Sequence, residues 1–531
     1  MRYKPSKHKT MKQKLQIFAL LCGLAISTNC FSQRYLSEIF TAVTVSSGVT
    51  YGNNISVLTG TPASQPLVMD VYQPTGDVQT TRPLIIILHA GSFLPAVAST
   101  QAIGKRTDSA VVNMCMRFAR RGYVAVSADY RLGWNALSTN QDIRTGTILN
   151  AVYRAAQDAK TCVRFFRDDA ANANTYKIDP TKIALGGFSG GGYAVLAAVS
   201  LNKASELQIT KLIDFTQNPP APYVNQAVAG NFDGTDTTPL NTPNYASYSS
   251  SVSVVFNIGG AIGDTSWMEA GEPPIIGMHC YKDPNAPYKT GNVIVTATGQ
   301  FVIEASGSYD IVKKAQRLGN NAIINNATYS DVYTTKANVN NAGIKALYPF
   351  ITPAPGANLS CTGANANAQT EQGTPWDWWN ESVFIASYNA YSSTTNGPVV
   401  NCLAKLSNPN MSATQGRTYI DTIQGYLNPR LVCAMGLAGC LSTVGLKEYA
   451  YSGNLNVFPN PVTSEINYSV SGGNTISRVT LLDATGRLVL SANNLNETSF
   501  KLNRNNLSAG LYFTTIELGN KTVVTKKIVI E

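Results

Sequence analysis

The sequence predicts an α/β protein with a mostly parallel sheet covered by helices on both faces, followed by a small all-β sandwich. Three observations predict it. Apolar strand-like runs alternate with helical stripes between Leu67 and Val199, as parallel strands joined by crossover helices require. A glycine-rich turn with a serine at its tip, Gly187-Phe188-Ser189-Gly190-Gly191, joins one such strand to an Ala-rich helix. Beyond residue 450 the pattern changes to short alternating segments broken by Gly and Asn, the signature of a β-sandwich.

Taken in order, Leu67–Tyr72 and Pro83–Leu88 read as strands. Residues 107–121 then read as a helix, with Val111, Cys115, Phe118 and Ala119 on one face and Gly122 at its end, where a left-handed cap favours glycine. Tyr123–Ser127 reads as a buried strand. A stripe of Val152, Ala155, Ala159, Val163 and Phe166 places a helix over 148–170. Asp179-Pro-Thr-Lys182 leads into the strand Ile183–Phe188 and the turn at Ser189. From about residue 291 the chain reads as a long irregular extension, with Asn-, Pro- and Gly-rich stretches.

The turn has the G-x-S-x-G form, in which a strained serine is exposed between strand and helix and the next N–H, that of Gly190, is free to meet a developing oxyanion. His89-Ala-Gly-Ser-Phe93 ends the second of the strands named above, where small residues let Ala90 and Gly91 offer further N–H groups. The chain from Asp129 to Gly133 follows the next strand, and its Arg131 reads as a structural ion-pair residue. Together with Pro274–Tyr288, these blocks resemble the α/β-hydrolase superfamily, and in particular its carboxylesterases with an H-G-G-G loop. The resemblance spans roughly 65–290 and implies Ser189 as nucleophile, Ala90, Gly91 and Gly190 as the oxyanion hole, and Asp283 as the triad acid. The loop departs from the family pattern with Ala90 for the first glycine and Ser92 for the third. Asp283, preceding Pro284, is also an ordinary turn residue.

In that superfamily the order is serine, acid, histidine, yet this chain holds three histidines, His8, His89 and His279, and none follows Asp283. Three readings stay open. His279, four residues before Asp283, or another group acts as base from an unusual place; the chain is an inactive hydrolase-fold binding protein on the cell surface; or catalysis is weak and rests on the oxyanion hole. The first and third make it a serine hydrolase acting on small-molecule or polymeric carboxylic esters. In the second, Trp376, Trp378 and Trp379 offer a platform for a glycan, although packing accounts for such aromatics equally well.

The ends of the chain speak to location. Six basic residues fall within the first fourteen positions, followed by an apolar run from Leu15 to Ile26 and small residues to Ser32, which reads as a secretory signal peptide over 1–32. The formal net charge of +10 falls to about +4 without them, so no nucleic-acid partner is implied. The apolar run is too short to span a bilayer, and neither a cofactor motif nor metal-ligand spacing is present. The remainder divides into a hydrolase-like region, 33–450, and the β-sandwich, 451–531. In the latter, Phe458-Pro-Asn-Pro461, Asp483-Ala-Thr-Gly-Arg487, Leu507–Tyr512 and Lys526-Lys-Ile-Val529 resemble the C-terminal sorting domain of the Bacteroidetes type IX secretion system. That implies the secretion machinery as a partner and a secreted or cell-surface protein. An oxidising destination lets Cys361, Cys402, Cys433 and Cys440 form two disulfides of open pairing. Cys115 and Cys162 read as buried apolar residues.

Overall fold

The computed structural model describes residues 34–531 apart from 296–297, 354–360, 362–371, 393–395, 441–454, 484–487, 505–506 and 521–522. The signal-peptide reading of 1–32, the turn at Ala484–Arg487 and the boundary at 450 lie outside the described residues. The chain forms two compact units, one ending at Cys440 and the other beginning at Leu441.

The first unit is built on an eight-stranded sheet. Its strands are β1 (Val43–Ser56), β2 (Ala63–Pro74), β3 (Arg82–Leu88), β4 (Val124–Ala128), β5 (Ile178–Phe188), β6 (Val254–Ile258), β7 (Ile275–Cys280) and β8 (Leu347–Phe350). Their spatial order is β1-β2-β4-β3-β5-β6-β7-β8. The β1–β2 and β2–β4 pairings are antiparallel, and from β4 through β8 every pairing is parallel. The central strands are buried along their whole length, because helices cover both faces and leave no wet side on which polar residues could alternate.

On one face lie α1 (Ser109–Arg120) and, near the end of the unit, the long helix α7 (Ala413–Ala434); on the other lie α2 (Gln141–Ala171) and α3 (Gly190–Ser200). Helix α2 starts at Gln141, seven residues before the start at 148 that its apolar stripe predicts. Its first turns are polar, but Asn140 caps them by accepting the Asp142 N–H at 2.8 Å. Gly146 lets the Tyr223 ring press against the helix, since a β-carbon there would stand 2.7 Å from the ring. Arg131 and Asp158 form an ion pair at 2.8 Å, both fully buried, beneath this helix. Arg131 is thus a structural residue, as its position in the sequence suggested.

The stretch beyond 291, expected as an irregular extension, is ordered in large part. It completes a hairpin (Thr290–Ile294 with Phe301–Gly307), then forms α4 (Ser308–Arg317), strand β8, α5 (Glu381–Tyr391), α6 (Gly397–Ala404) and α7. Helices α5 and α7 carry only a weak apolar stripe of their own, and α5 and α6 are held by packing on each other through Phe384, Tyr388 and Val400. Two disulfides, Cys361–Cys402 and Cys433–Cys440, tie it together. Cys115, Cys162 and Cys280 are buried thiols, and burial pushes their pKa values up, which leaves them unreactive. Among the described residues no helix is long and apolar enough to cross a membrane.

The second unit is a sandwich of a three-stranded and a four-stranded antiparallel sheet. Alternate residues such as Ile466, Tyr468, Val479, Leu481 and Ile516 fill its core. Tyr468 keeps its buried hydroxyl paired with Thr514 at 3.0 Å.

Candidate active site

Ser189 sits where β5 ends and α3 begins, with φ +46° and ψ −112°. An L-residue adopts such a backbone only when its surroundings impose it. Here the Ser189 N–H donates to the Ile258 carbonyl at 2.8 Å, its carbonyl accepts from Tyr193 at 3.2 Å, and Gly191 N–H donates to the His89 carbonyl at 3.1 Å. The turn is held between β6 and the loop after β3.

That loop lies directly against the serine turn. A β-carbon on Gly190 would overlap the Gly91 carbonyl oxygen, so the N–H groups that follow the serine and those of the loop share one corner. Among the described residues no protein acceptor takes the N–H of Ala90, Gly91 or Gly190, the last being the first residue of a helix whose N-terminal N–H groups are unpaired by construction.

His89 supports this loop from behind. It is buried, donates from Nδ1 to the Ala90 carbonyl at 2.6 Å and stacks on Tyr130 with ring centroids 4.4 Å apart. Its Nε2 lies 3.4 Å from Asp129, whose charge is shared with Arg106 at 2.5 Å. Burial lowers its pKa, against the pull of Asp129.

Asp283 follows β7. Its Oδ1 accepts the N–H groups of Asn285 at 2.8 Å and Ala286 at 3.1 Å, and its Oδ2 lies 3.5 Å from His279 Nε2 with both side chains buried. The two residues are therefore neighbours. His279 Nε2 also meets the Ala286 carbonyl at 3.2 Å, and Nδ1 meets Ser308 Oγ at 2.9 Å. A carbonyl only accepts, so Nε2 carries the hydrogen and Nδ1 is left to accept the Ser308 hydroxyl hydrogen. Asn257 Nδ2 donates in turn to Ser308 Oγ at 3.0 Å, and the chain of bonds is closed. No hydrogen bond joins His279 or His89 to Ser189 among the described residues.

The chain beyond β8 returns to Asp283 without a histidine. A β-carbon on Gly373 would stand 2.8 Å from Asp283 Oδ1 and 3.1 Å from Asn285 Nδ2. Trp376, next along, is buried against Phe188 and Phe350 with centroids 6.3 and 5.8 Å away. Trp379 donates to Asn401 at 2.9 Å, and Trp378 lies under the Arg417 guanidinium. The tryptophan segment is built into the interior and its margin rather than held out as a platform. Asp377 is buried among these rings, which raises its pKa well above the usual carboxylate range.

Ser189 opens into a pocket of about 140 Å³. Phe93, Trp134, Tyr193, Trp267 and aliphatic residues of α2 and of the 290–307 hairpin line it, with Gln101, Ser92 and Asn285 as polar members. Among the described residues no acidic or basic side chain lines it. Sequence reading missed Tyr193, four residues after the serine, whose phenol is pushed up by burial and by Asp283. The i, i+4 spacing that puts it on the same helical face as Ser189 was the available signal.

The family model BD-FAE matches residues 69–297, and the model of the secretion system C-terminal sorting domain matches residues 456–531. Among curated proteins none matches the chain. Among solved structures, the chain is similar to Thermogutta terrifontis esterase 2 phosphorylated by paraoxon, with 20% identity and a TM-score of 0.27 over 47% of this chain and 74% of that one. The butyrate-bound form of the same esterase gives 19% and 0.27 over 42% and 70%. A truncated carbohydrate esterase from gut microbiota gives 17% and 0.30 over 54% and 85%.

Proposed function

Starting from a chain that carries a carboxylesterase-type α/β-hydrolase domain and a type IX sorting domain that marks it for export to the cell surface or beyond, we propose that Ser189 is the nucleophile of an exported ester hydrolase. The observation that carries this reading is the strained Ser189 backbone, φ +46°, at the floor of a pocket and beside three unpaired N–H groups. Ser189 Oγ attacks the ester carbonyl; the oxygen, as it becomes negative, is met by the N–H groups of Gly190, Gly91 and Ala90. The tetrahedral intermediate collapses, the alcohol leaves, and water then releases the acid by the same route.

The proton of Ser189 goes to the His279–Asp283 pair. Two strand spacings, about 10 Å, separate the ends of β5 and β7, and neither His279 nor Asp283 lines the pocket, so the transfer runs through water that enters beside His279. Asp283 stabilises the imidazolium as it forms, which a buried carboxylate 3.5 Å away can do. This route is slower than direct contact, and the oxyanion hole supplies much of the rate.

The test is covalent labelling of the purified full chain with a fluorophosphonate, together with hydrolysis of p-nitrophenyl esters. Both are expected from the native chain and both are lost in Ser189→Ala. Labelling that survives Ser189→Ala, or a pure protein that turns over no ester, overturns the reading and leaves a binding role on a hydrolase scaffold.

A further inference from the structure

Behind the pocket at Ser189 lies a second, smaller space. Leu149, Val152, Ala197 and Trp267 line the first space and also line this one of about 20 Å³, which is closed by residues that include Leu207 and Leu212. The four shared residues stand between the two, and Ala197 is the smallest of them.

Beyond Ser189, the polar members of the first space are Ser92, Gln101, Asn285 and the Tyr193 hydroxyl, while the inner space offers hydrocarbon only. The other lining aromatics spend their polar atoms on the protein: Trp134 Nε1 donates to the Ser92 carbonyl at 2.6 Å, Trp267 Nε1 to the Glu206 carbonyl at 3.0 Å, and Tyr153 Oη to the Gly230 carbonyl at 2.7 Å. A sugar or a charged acyl group would lose its water in the inner space and gain no partner. An alkyl chain loses nothing and gains burial.

The length follows from the helix. Ser189 and Ala197 stand eight residues apart at the N-terminal end and on the body of α3, an advance of about 12 Å, which an extended chain of roughly eight to ten carbons spans.

On the premise that Ser189 is the nucleophile, we propose that the enzyme is built for esters of medium-chain fatty acids, whose acyl chain passes Ala197 into the inner space, so that Ala197 sets the acyl length. The acyl carbon bonds to Ser189 Oγ as its bond to the alcohol oxygen breaks. The alcohol takes the proton from the His279–Asp283 side, so the leaving group lies toward Asp283 and the acyl chain runs along α3. Water then breaks the Ser189–acyl bond and frees the fatty acid.

The experiment compares kcat/KM of the full chain on ethyl esters of acetate, butyrate, octanoate and decanoate, with octyl acetate as the reversed arrangement. The decanoate-to-butyrate ratio is expected above one in the native chain, about tenfold or more lower in Ala197→Phe, and higher in Leu212→Ala, which enlarges the inner space. Fluorophosphonate labelling of each variant reports whether it is folded. A native preference for acetate, a preference for octyl acetate over ethyl octanoate, or a ratio unmoved in both variants while short esters are turned over overturns the acyl-chain proposal alone. Absence of labelling and of turnover at every chain length overturns the serine hydrolase reading beneath it.

Discussion

The Ser308 hydroxyl donates to Nδ1 of His279 across 2.9 Å, occupying the ring nitrogen that has a lone pair to offer. Asn257 holds Ser308 in that role, and the Ala286 carbonyl holds the opposite side of the ring. A histidine so placed takes a proton only if Ser308 turns aside or water enters.

Ser308→Ala is therefore an informative change. It leaves His279 Nδ1 and one Asn257 N–H without their partner, which is expected to cost about 1–3 kcal/mol of stability. It also frees Nδ1 to accept from water, so kcat/KM of ester hydrolysis is expected to rise. Denaturant unfolding and steady-state kinetics measure the two effects, and loss of stability with an unaltered kcat/KM argues against His279 as the proton acceptor.

Gly190→Ala addresses the oxyanion corner. The added methyl must push the Gly91 carbonyl away, moving the loop that offers its N–H groups. A fall in kcat of about 10²–10³ is expected, with a smaller change in KM, measurable by steady-state hydrolysis of a p-nitrophenyl ester.

Asp158→Ala leaves Arg131 buried without its counter-charge. A loss of roughly 3–5 kcal/mol is expected, seen as a lowered urea midpoint at an unchanged slope.

Asp108, the residue that precedes α1, bears on pH. Its carboxylate accepts the Gly104 N–H at 2.7 Å and the Lys105 N–H at 3.1 Å, yet burial outweighs these bonds and raises its pKa from 3.8 to about 7. Between these values the folded chain binds a proton that the unfolded chain has released. Its contribution is thus fully present below about pH 4 and is lost as pH rises to about 7. Asp108→Asn keeps the acceptor oxygen and removes the titration, so the melting temperature of the variant is expected to fall less steeply than that of the native chain across this range.

The fold was legible wherever local pattern and burial coincide. Strands β3 and β4 and the second half of β5, Ile183–Phe188, are buried on both faces and so read as largely apolar runs. The turn at Ser189 reads directly because close approach of Gly91 admits only glycine at 190. The sandwich reads from its period of two. The residues from 291 to 440 were not legible, since β8 has four residues and is fixed by pairing with β7, a strand that ends at Cys280.

The amino-acid sequence by itself determined the order of the strands and helices, the serine turn, the placement of Asp283 after a strand and the absence of any later histidine, because each is a property of neighbours along the chain. Only the tertiary structure decided that His279 meets Ser308 and Asp283, that Cys361 pairs with Cys402, that Gly373 returns to Asp283, and that a second space lies behind Ala197. Apart from the His279–Asp283 approach, each of these joins residues distant in sequence, and the packing of sheet, helices and returning chain is what sets their separation.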